Sequence, residues 1–496
     1  MKRKRDMKRI AVAGMNMSRK SFIGGSLALG ASALPLAAPA EARKAGNGPL
    51  DERETDVFVA GGSMTGVFAA IRAAQAGKRV VLVERRSAFG GTATQGLVPV
   101  LHSIYSTDGK MQVIGGLTVE VIRRLTARGE ATLEPRTNPN VYCWMNVAEL
   151  QIVLDEMVRE QPLIEPHFET LFTAVETDRP GHVTRVFYED KGGRHAVRAK
   201  VFIDATGDAD LVRRTDGLSV WRQEKGNMQG HTLCAILSGV KEVKAAHPDF
   251  SFYEVLKPER KAGLKHVYCW ADRVVNSPHV TFISGTRISA NDPSDPEDLT
   301  QALFEGRRQL RLIIDAANRF YPMPDGTRGI SLLAIAPALG IRESVHIDSL
   351  YRVTEKDILS GTRFDDVVAR GCYRVDHHEN TGLTFRYLDG REEIQAYDAA
   401  TGKVTWKHGR WRPKTETNPT WYEVPYRSLV PKGSENVIAA GRMLDCSREA
   451  YGALRVMVNC NQMGEAAGCA AVRAIDEKLP IASAYSPDCL IKPHVA

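Results

Sequence analysis

The segment from Val57 to Glu84 constrains the fold more than any other. The apolar run Val57-Phe58-Val59-Ala60 leads into Gly61-Gly62-Ser63-Met64-Thr65-Gly66. A helical stretch follows through Ala76, then a second apolar run from Arg79 to Val83 that ends at Glu84. Strand, glycine turn, helix and acid-terminated strand in this order predict a βαβ unit that opens a parallel sheet. Such a turn suits a dinucleotide for physical reasons. Gly61 permits the tight turn, Gly66 lets the helix pack close to the sheet, and the helix N-terminus offers amides and partial positive charge to a pyrophosphate. Glu84 is placed to accept hydrogen bonds from a ribose. Ser63 stands where the G-x-G-x-x-G pattern has its middle glycine, so its side chain either crowds the pyrophosphate or donates to it.

Further along, Val147, Leu150, Val153, Leu154 and Met157 recur at helical spacing. Alternating segments between Leu171 and Ala199 predict a small β-meander, and Val201-Phe202-Ile203-Asp204-Ala205 reads as a buried strand. From Leu218 to about Val430 aromatics, prolines and isolated strands are mixed, with a helix over Leu299 to Asn318. Val437-Ile438-Ala439-Ala440 returns to the buried-strand pattern, followed by a last helix from about Val456 to Glu477.

Four segments carry a resemblance. They are Glu84 to Thr94 with its glycine pair Gly90-Gly91, Asp204-Ala205-Thr206-Gly207-Asp208, Ala440-Gly441-Arg442-Met443-Leu444-Asp445, and Glu449 to Gly468. Together with the first turn they resemble the glutathione-reductase-like flavoprotein superfamily. The likeness is greatest to its FAD-dependent oxidoreductases, in which a substrate domain interrupts one nucleotide-binding domain. The resemblance covers most of the chain after residue 54. It implies an α/β fold: a three-layer Rossmann-like FAD domain, parallel sheet plus β-meander, over 55–215 and 431–480. A mixed α+β substrate domain over 216–430 interrupts it, and a tail spans 481–496. It implies non-covalent FAD held by Gly61, Gly62, Ser63, Met64, Thr65, Gly66, Glu84, Arg85, Gly90, Gly91, Thr92, Thr206, Gly207, Asp208, Gly441, Arg442 and Asp445. In such flavoproteins the closing helix points its N-terminus at the pyrimidine edge of the flavin, where positive potential stabilises reduced flavin.

A flavin dehydrogenation also needs a base for the proton that matches the hydride. His378, in Asp376-His377-His378, is the leading candidate, with Asp376 placed to orient an imidazole. Arg342 and Arg455 are candidates for clamping a carboxylate or carbonyl oxygen. His102 is a weaker candidate for covalent flavin attachment. Arg448 stands where related chains often have histidine. Trp406, Trp411, Trp421 and Tyr422, with His408 and Arg410, are either a stacking surface or core. The expected activity is hydride transfer between flavin N5 and a small polar organic substrate such as a carbohydrate or hydroxy acid. A fumarate-reductase-like enzyme acting on a carboxylate and a non-catalytic flavin protein are the alternatives. With no second dinucleotide fingerprint and no paired redox cysteines, electrons would pass to or from oxygen, a quinone or a redox protein.

The net charge of +7 lies mostly at the front. Residues 1–42 hold eight Lys and Arg against Asp6 and Glu41, leaving 58 basic and 57 acidic residues beyond. A nucleic-acid partner is therefore not expected. The basic start, Ser18-Arg19-Lys20-Ser21-Phe22-Ile23, a mild apolar run and Ala40-Glu41-Ala42 read as a twin-arginine-like export signal cleaved near Ala42, with 43–54 as linker. Lys20 keeps the charge of a second arginine but not its fork. This predicts a periplasmic or secreted protein without a transmembrane anchor. The eight scattered cysteines contain no C-x-x-C, so neither metal sites nor disulfides are expected.

Overall fold

Five parallel strands run in the order Val437–Ala439, Val201–Asp204, Val57–Ala60, Val80–Val83 and Ile164–His167. The first four are buried at every residue, as strands covered on both faces must be. The computed structural model describes residues 51–496 apart from 139, 260–263, 265–268, 290, 380–381, 399–400, 402, 415–417, 488–493 and 496. The expected export signal, 1–42, and most of the expected linker lie outside the described residues.

Alternate side chains feed two different cores, as the period of two in a strand requires. Val57, Val59, Val80, Leu82, Val201 and Ile203 face the helices. Phe58, Ala60, Val81, Val83 and Phe202 face a meander of Leu171–Arg179, His182–Asp190 and Gly193–Arg198. Helices, parallel sheet and meander are thus the three layers expected. The stretch read as linker differs in its last residues: Asp51–Glu54 adds to Gly193–Arg198 as a parallel edge strand. Its charged side chains find partners there, Glu52 with Arg198 at 2.5 Å and Arg53 with Glu165. Polar composition alone does not reveal such pairing.

The first helix, Met64–Gln75, packs against the closing helix, Met457–Asp476, along glycines. Gly464 and Gly468, four apart and so on one helix face, lie against the backbone of Thr65 and Ala69. A Cβ on either would fall 2.1 Å from the Thr65 carbonyl oxygen or 2.3 Å from that of Ala69. Glu465 between them accepts from Arg72 at 2.5 Å and from the Leu117 amide at 3.1 Å. Gly464→Ala is therefore expected to lower stability by about 1–3 kcal/mol through overpacking; an unchanged urea midpoint would mean that the helices separate at little cost.

Besides two two-stranded sheets, the interrupting segment contributes two four-stranded antiparallel ones. One orders Trp270–Val274, Ser277–Ser284, Ala235–Ser238 and Ser331–Ile335 and shares its apolar core with the long helix Pro296–Phe320. Asp295 caps that helix by accepting from the Glu297 and Asp298 amides at 3.0 and 2.9 Å. The other orders Val375–His378, Gly382–Arg386, Arg391–Tyr397 and Val404–Arg410. Its first strand lies against the short helix Arg448–Leu454, where a Cβ on Gly452 would meet the Asp376 backbone at 2.7 Å. Cys143, Cys234, Cys269, Cys372, Cys446 and Cys460 are free thiols, but Cys469 is disulfide-bonded. That corrects the expectation of no disulfide, which rested on sequence spacing alone. Among the described residues no helix is long and apolar enough to cross a membrane.

Candidate active site

The turns at the carboxyl ends of the three central strands meet in one cleft, lined by Gly61, Glu84, Gly91, Thr206 and Gly441 among others. Gly61, with φ +102°, makes its turn against Ala205, whose carbonyl oxygen would lie 2.5 Å from a Cβ there. Gly62 donates its amide to Glu84 Oε2 at 2.6 Å, and Arg86 donates to Oε1 at 3.0 Å. Burial pushes the Glu84 carboxyl above its ordinary value, while these amides work against the rise. Ser63 caps the first helix with its backbone only, its hydroxyl making no capping bond. Its extra carbon is accommodated by Gly91, where a Cβ would sit 2.8 Å from Ser63 Cβ. The missing middle glycine is thus compensated across the cleft.

Of the expected cofactor residues, Gly61, Ser63, Met64, Thr65, Glu84, Arg85, Gly90, Gly91, Thr92, Thr206, Gly207, Gly441 and Arg442 line the cleft. Gly62, Gly66, Asp208 and Asp445 do not. Gly66 lies behind it, its absent Cβ 1.8 Å from the Gly61 carbonyl oxygen. Asp208 is a buried strut, accepting from Arg442 Nη2 at 2.5 Å and Ser344 Oγ at 2.7 Å and lying 3.6 Å from Arg85. Burial alone would raise its carboxyl; Arg442 and Arg85 outweigh that and hold it below its ordinary value. Asp445 is taken up by Trp221 Nε1 at 3.0 Å and the Ser349 amide at 3.0 Å. Asp204 folds the second turn by accepting from Thr206, Leu211 and Val212 amides at 2.8–3.0 Å.

The cleft therefore runs from Glu84, past the glycine turn, to the first turn of the closing helix, where Met457, Cys460 and Asn461 join the lining. An extended dinucleotide fits this sequence of groups. Gln95 and Gly96 also line it, a few residues past the glycine pair, as do Ala338, Leu339 and Ile341 from the interrupting segment. Only proximity to an identified motif could have signalled the first two. Burial raises the Cys460 thiol to about 12, so it is a neutral group in the wall.

Arg455 lines the same end and links the cleft to the expected catalytic residues. Its Nη2 donates to the Asp376 carbonyl oxygen at 3.2 Å and lies 3.5 Å from Asp376 Oδ2. Asp376 Oδ2 accepts from Tyr373 OH at 3.0 Å, and Oδ1 lies 2.8 Å from His378 Nε2. The histidine pair lies on the strand Val375–His378, both rings buried. Burial drives His378 well below the ordinary histidine range; Asp376 opposes this, and Arg342 and Arg287 add to it. Asp376 itself is held well below its ordinary value, burial being overcome by His378 and Arg455. Arg342 donates to the Gly230 carbonyl oxygen at 2.7 Å and to Thr232 Oγ1 at 2.6 Å.

Several weaker candidates lie outside the cleft lining. His102 contacts the Asn140 carbonyl oxygen through Nδ1 and lies tilted against Tyr373 with centroids 4.0 Å apart, and burial lowers it to about 4. His377 is buried, lowered first by burial and then by Arg448. Trp411 donates to Tyr387, Trp421 lies under Arg363 at 3.4 Å, Tyr422 is core, and Trp406 is exposed beside His408.

An aklavinone 12-hydroxylase from Streptomyces peucetius subsp. caesius is 24% identical over 198 residues, 34% of this chain and 39% of the hydroxylase; the match thus spans well under half of that relative. Among solved structures, a geranylgeranyl bacteriochlorophyll reductase-like protein from Thermoplasma acidophilum aligns at 13% identity over 88% of this chain and 82% of its own, with TM-score 0.42. The p-nitrophenol 4-monooxygenase of Pseudomonas putida aligns at 16% identity over 61% and 71%, with TM-score 0.37. The model of the FAD dependent oxidoreductase family matches residues 56–484, and with the dinucleotide cleft built from three parts of that span, the chain belongs to this family of flavoenzymes.

Proposed function

We propose that this enzyme moves a hydride between a small polar organic substrate, a carbohydrate or hydroxy acid, and non-covalently bound FAD. The electrons are exchanged with an external partner such as oxygen, a quinone or a redox protein. Bound FAD supplies the two-electron acceptor that no side chain offers. The observation that carries the reading is the Asp376–His378 pair beside Arg455 at the end of the cleft.

Asp376, ionised next to Nε2, favours the tautomer with its proton on that nitrogen. Nδ1, buried and without a protein partner, keeps its lone pair for a substrate proton. Tyr373 and Arg455 hold the carboxylate in place, so the pair is fixed before substrate arrives. The test is an anaerobic screen of polyols, sugars and hydroxy acids for bleaching of bound flavin. Bleaching by none of them, with a flavin that dithionite still reduces, would refute hydride transfer from this substrate class.

The depressed His378 has a pH consequence. A base must be unprotonated, so the rate of flavin reduction is expected to stay flat from pH 8 down through the ordinary histidine value near 6.5 and to fall only at lower pH. His231, lowered by burial to about 4, acts on stability in the same sense. Its folded value lies below its unfolded one, so the contribution is complete above about pH 6.5. It is lost as pH falls towards 4, on the order of 3 kcal/mol in the limit. A melting temperature unchanged between pH 7 and 4.5 would contradict this.

We also infer export to the periplasm or medium through the basic, twin-arginine-like start. Disulfide-bonded Cys469 supports the reading, because such bonds persist in oxidising compartments. Cell fractionation should recover a mature chain starting at Arg43 outside the cytoplasm; a full-length cytoplasmic chain would contradict it.

A further inference from the structure

We propose that the polar groups gathered beside Arg455 recognise an organic acid, its carboxylate held between Arg342 and Arg455, with Gln229 and His231 completing the contacts. This rests on the hydride-transfer reading and narrows its substrate class.

The first ground is a set of buried polar atoms without protein partners. Gln229 is fully buried, yet neither Nε2 nor Oε1 of its side chain is bonded. The same holds for His231 Nδ1, His378 Nδ1 and Arg455 Nε. Buried polar groups are ordinarily satisfied, and each left unmade costs about 1–3 kcal/mol. Several together mark a place shaped for a polar ligand.

The second ground is that these groups converge. His231 bridges to Ile288 and Thr232 to Gly340, which lays three distant segments side by side. The Arg287 side chain packs on Gly230, where a Cβ would meet its Cδ at 2.4 Å, and Arg342 donates to the same residue's carbonyl oxygen. The Gln229 backbone amide donates to Glu343 Oε2 at 2.8 Å, one residue past Arg342. Tyr451 OH donates to the Arg342 carbonyl oxygen at 2.6 Å and so ties this patch to the helix that ends at Arg455.

The third ground is charge. Asp376 is engaged by His378, Tyr373 and Arg455, and Glu343 by His346 and the Gln229 amide. Arg342 donates only to neutral oxygens and, among the described residues, has no ion-pair partner. Burial, and then Arg455, push its guanidinium down to about 10, with Asp376 opposing them from beyond contact distance. A half-buried guanidinium with no carboxylate in contact is under-compensated, and a guanidinium presents donors alone, in a fork that matches a carboxylate. A neutral polyol offers no such compensation.

Calorimetric binding to the holoenzyme should be compared for lactate, malate, mandelate and gluconate against propane-1,2-diol, 1-phenylethane-1,2-diol and sorbitol, with anaerobic flavin bleaching recorded in parallel. Acids are expected to bind at least tenfold more tightly than their neutral counterparts. Arg342→Lys should weaken acid binding about 10- to 100-fold, and the near-isosteric Gln229→Glu, which sets a competing anion beside it, should do the same. Neutral compounds binding as tightly as acids, no binding in either series, or both variants binding acids like the parent would overturn the assignment. If acids bind and none bleaches the flavin, hydride transfer falls while the acid site stands; if only neutral alcohols bleach it, the acid site falls and hydride transfer stands.

Discussion

Gly61→Val is expected to leave a chain that retains no FAD through gel filtration. At φ +102° a branched side chain is strained by about 1–3 kcal/mol. Its Cβ would also press on Ala205 at 2.5 Å from the carbonyl oxygen and 2.8 Å from the carbon. Neither can give way, because Ala205 ends the neighbouring strand of the parallel sheet and its amide is bonded to Ala60 at 2.8 Å. The turns must therefore part, and the amides of the first helix lose their aim at the pyrophosphate. A loss of at least about a hundredfold in affinity follows. Gly77→Ala is the control: φ is +81°, nothing lies within 4 Å of the added carbon, and flavin content should match the parent. Equal flavin content in both variants would show that the pyrophosphate lies elsewhere.

His378→Gln is expected to slow flavin reduction by substrate roughly 10²- to 10⁴-fold while leaving FAD content unchanged, since His378 is not part of the cleft lining. Glutamine fills a similar volume beside Asp376 but has no basic nitrogen. Pre-steady-state reduction separates this from effects on product release or reoxidation. A parent-like reduction rate would remove His378 as the base and leave Asp376, Tyr373 and Arg455 as the groups to examine.

What the amino-acid sequence discloses follows from how local each signal is. The Val57 to Glu84 unit is readable because strand, turn, helix and acid are consecutive, and the glycines answer contacts seen in the fold. The return of Val437–Ala439 to the same sheet is readable only through its apolar run and the motif after it. By contrast, Asp445 follows a recognisable glycine turn yet is turned away to Trp221 and Ser349. Direction of a side chain at a strand end depends on neighbours from other segments. Gln229 and His231 had no signal at all, because their meaning comes from Arg342, more than a hundred positions away. Ser63 shows the reverse: a departure from the expected pattern is explained once Gly91 is found against it.

The absorption spectrum of the purified, folded protein tests the central claim most directly. Bound oxidised flavin predicts bands near about 370 and 450 nm, released by denaturation as free FAD in a one-to-one ratio with the chain. A colourless protein that gains no such bands when incubated with FAD would contradict it.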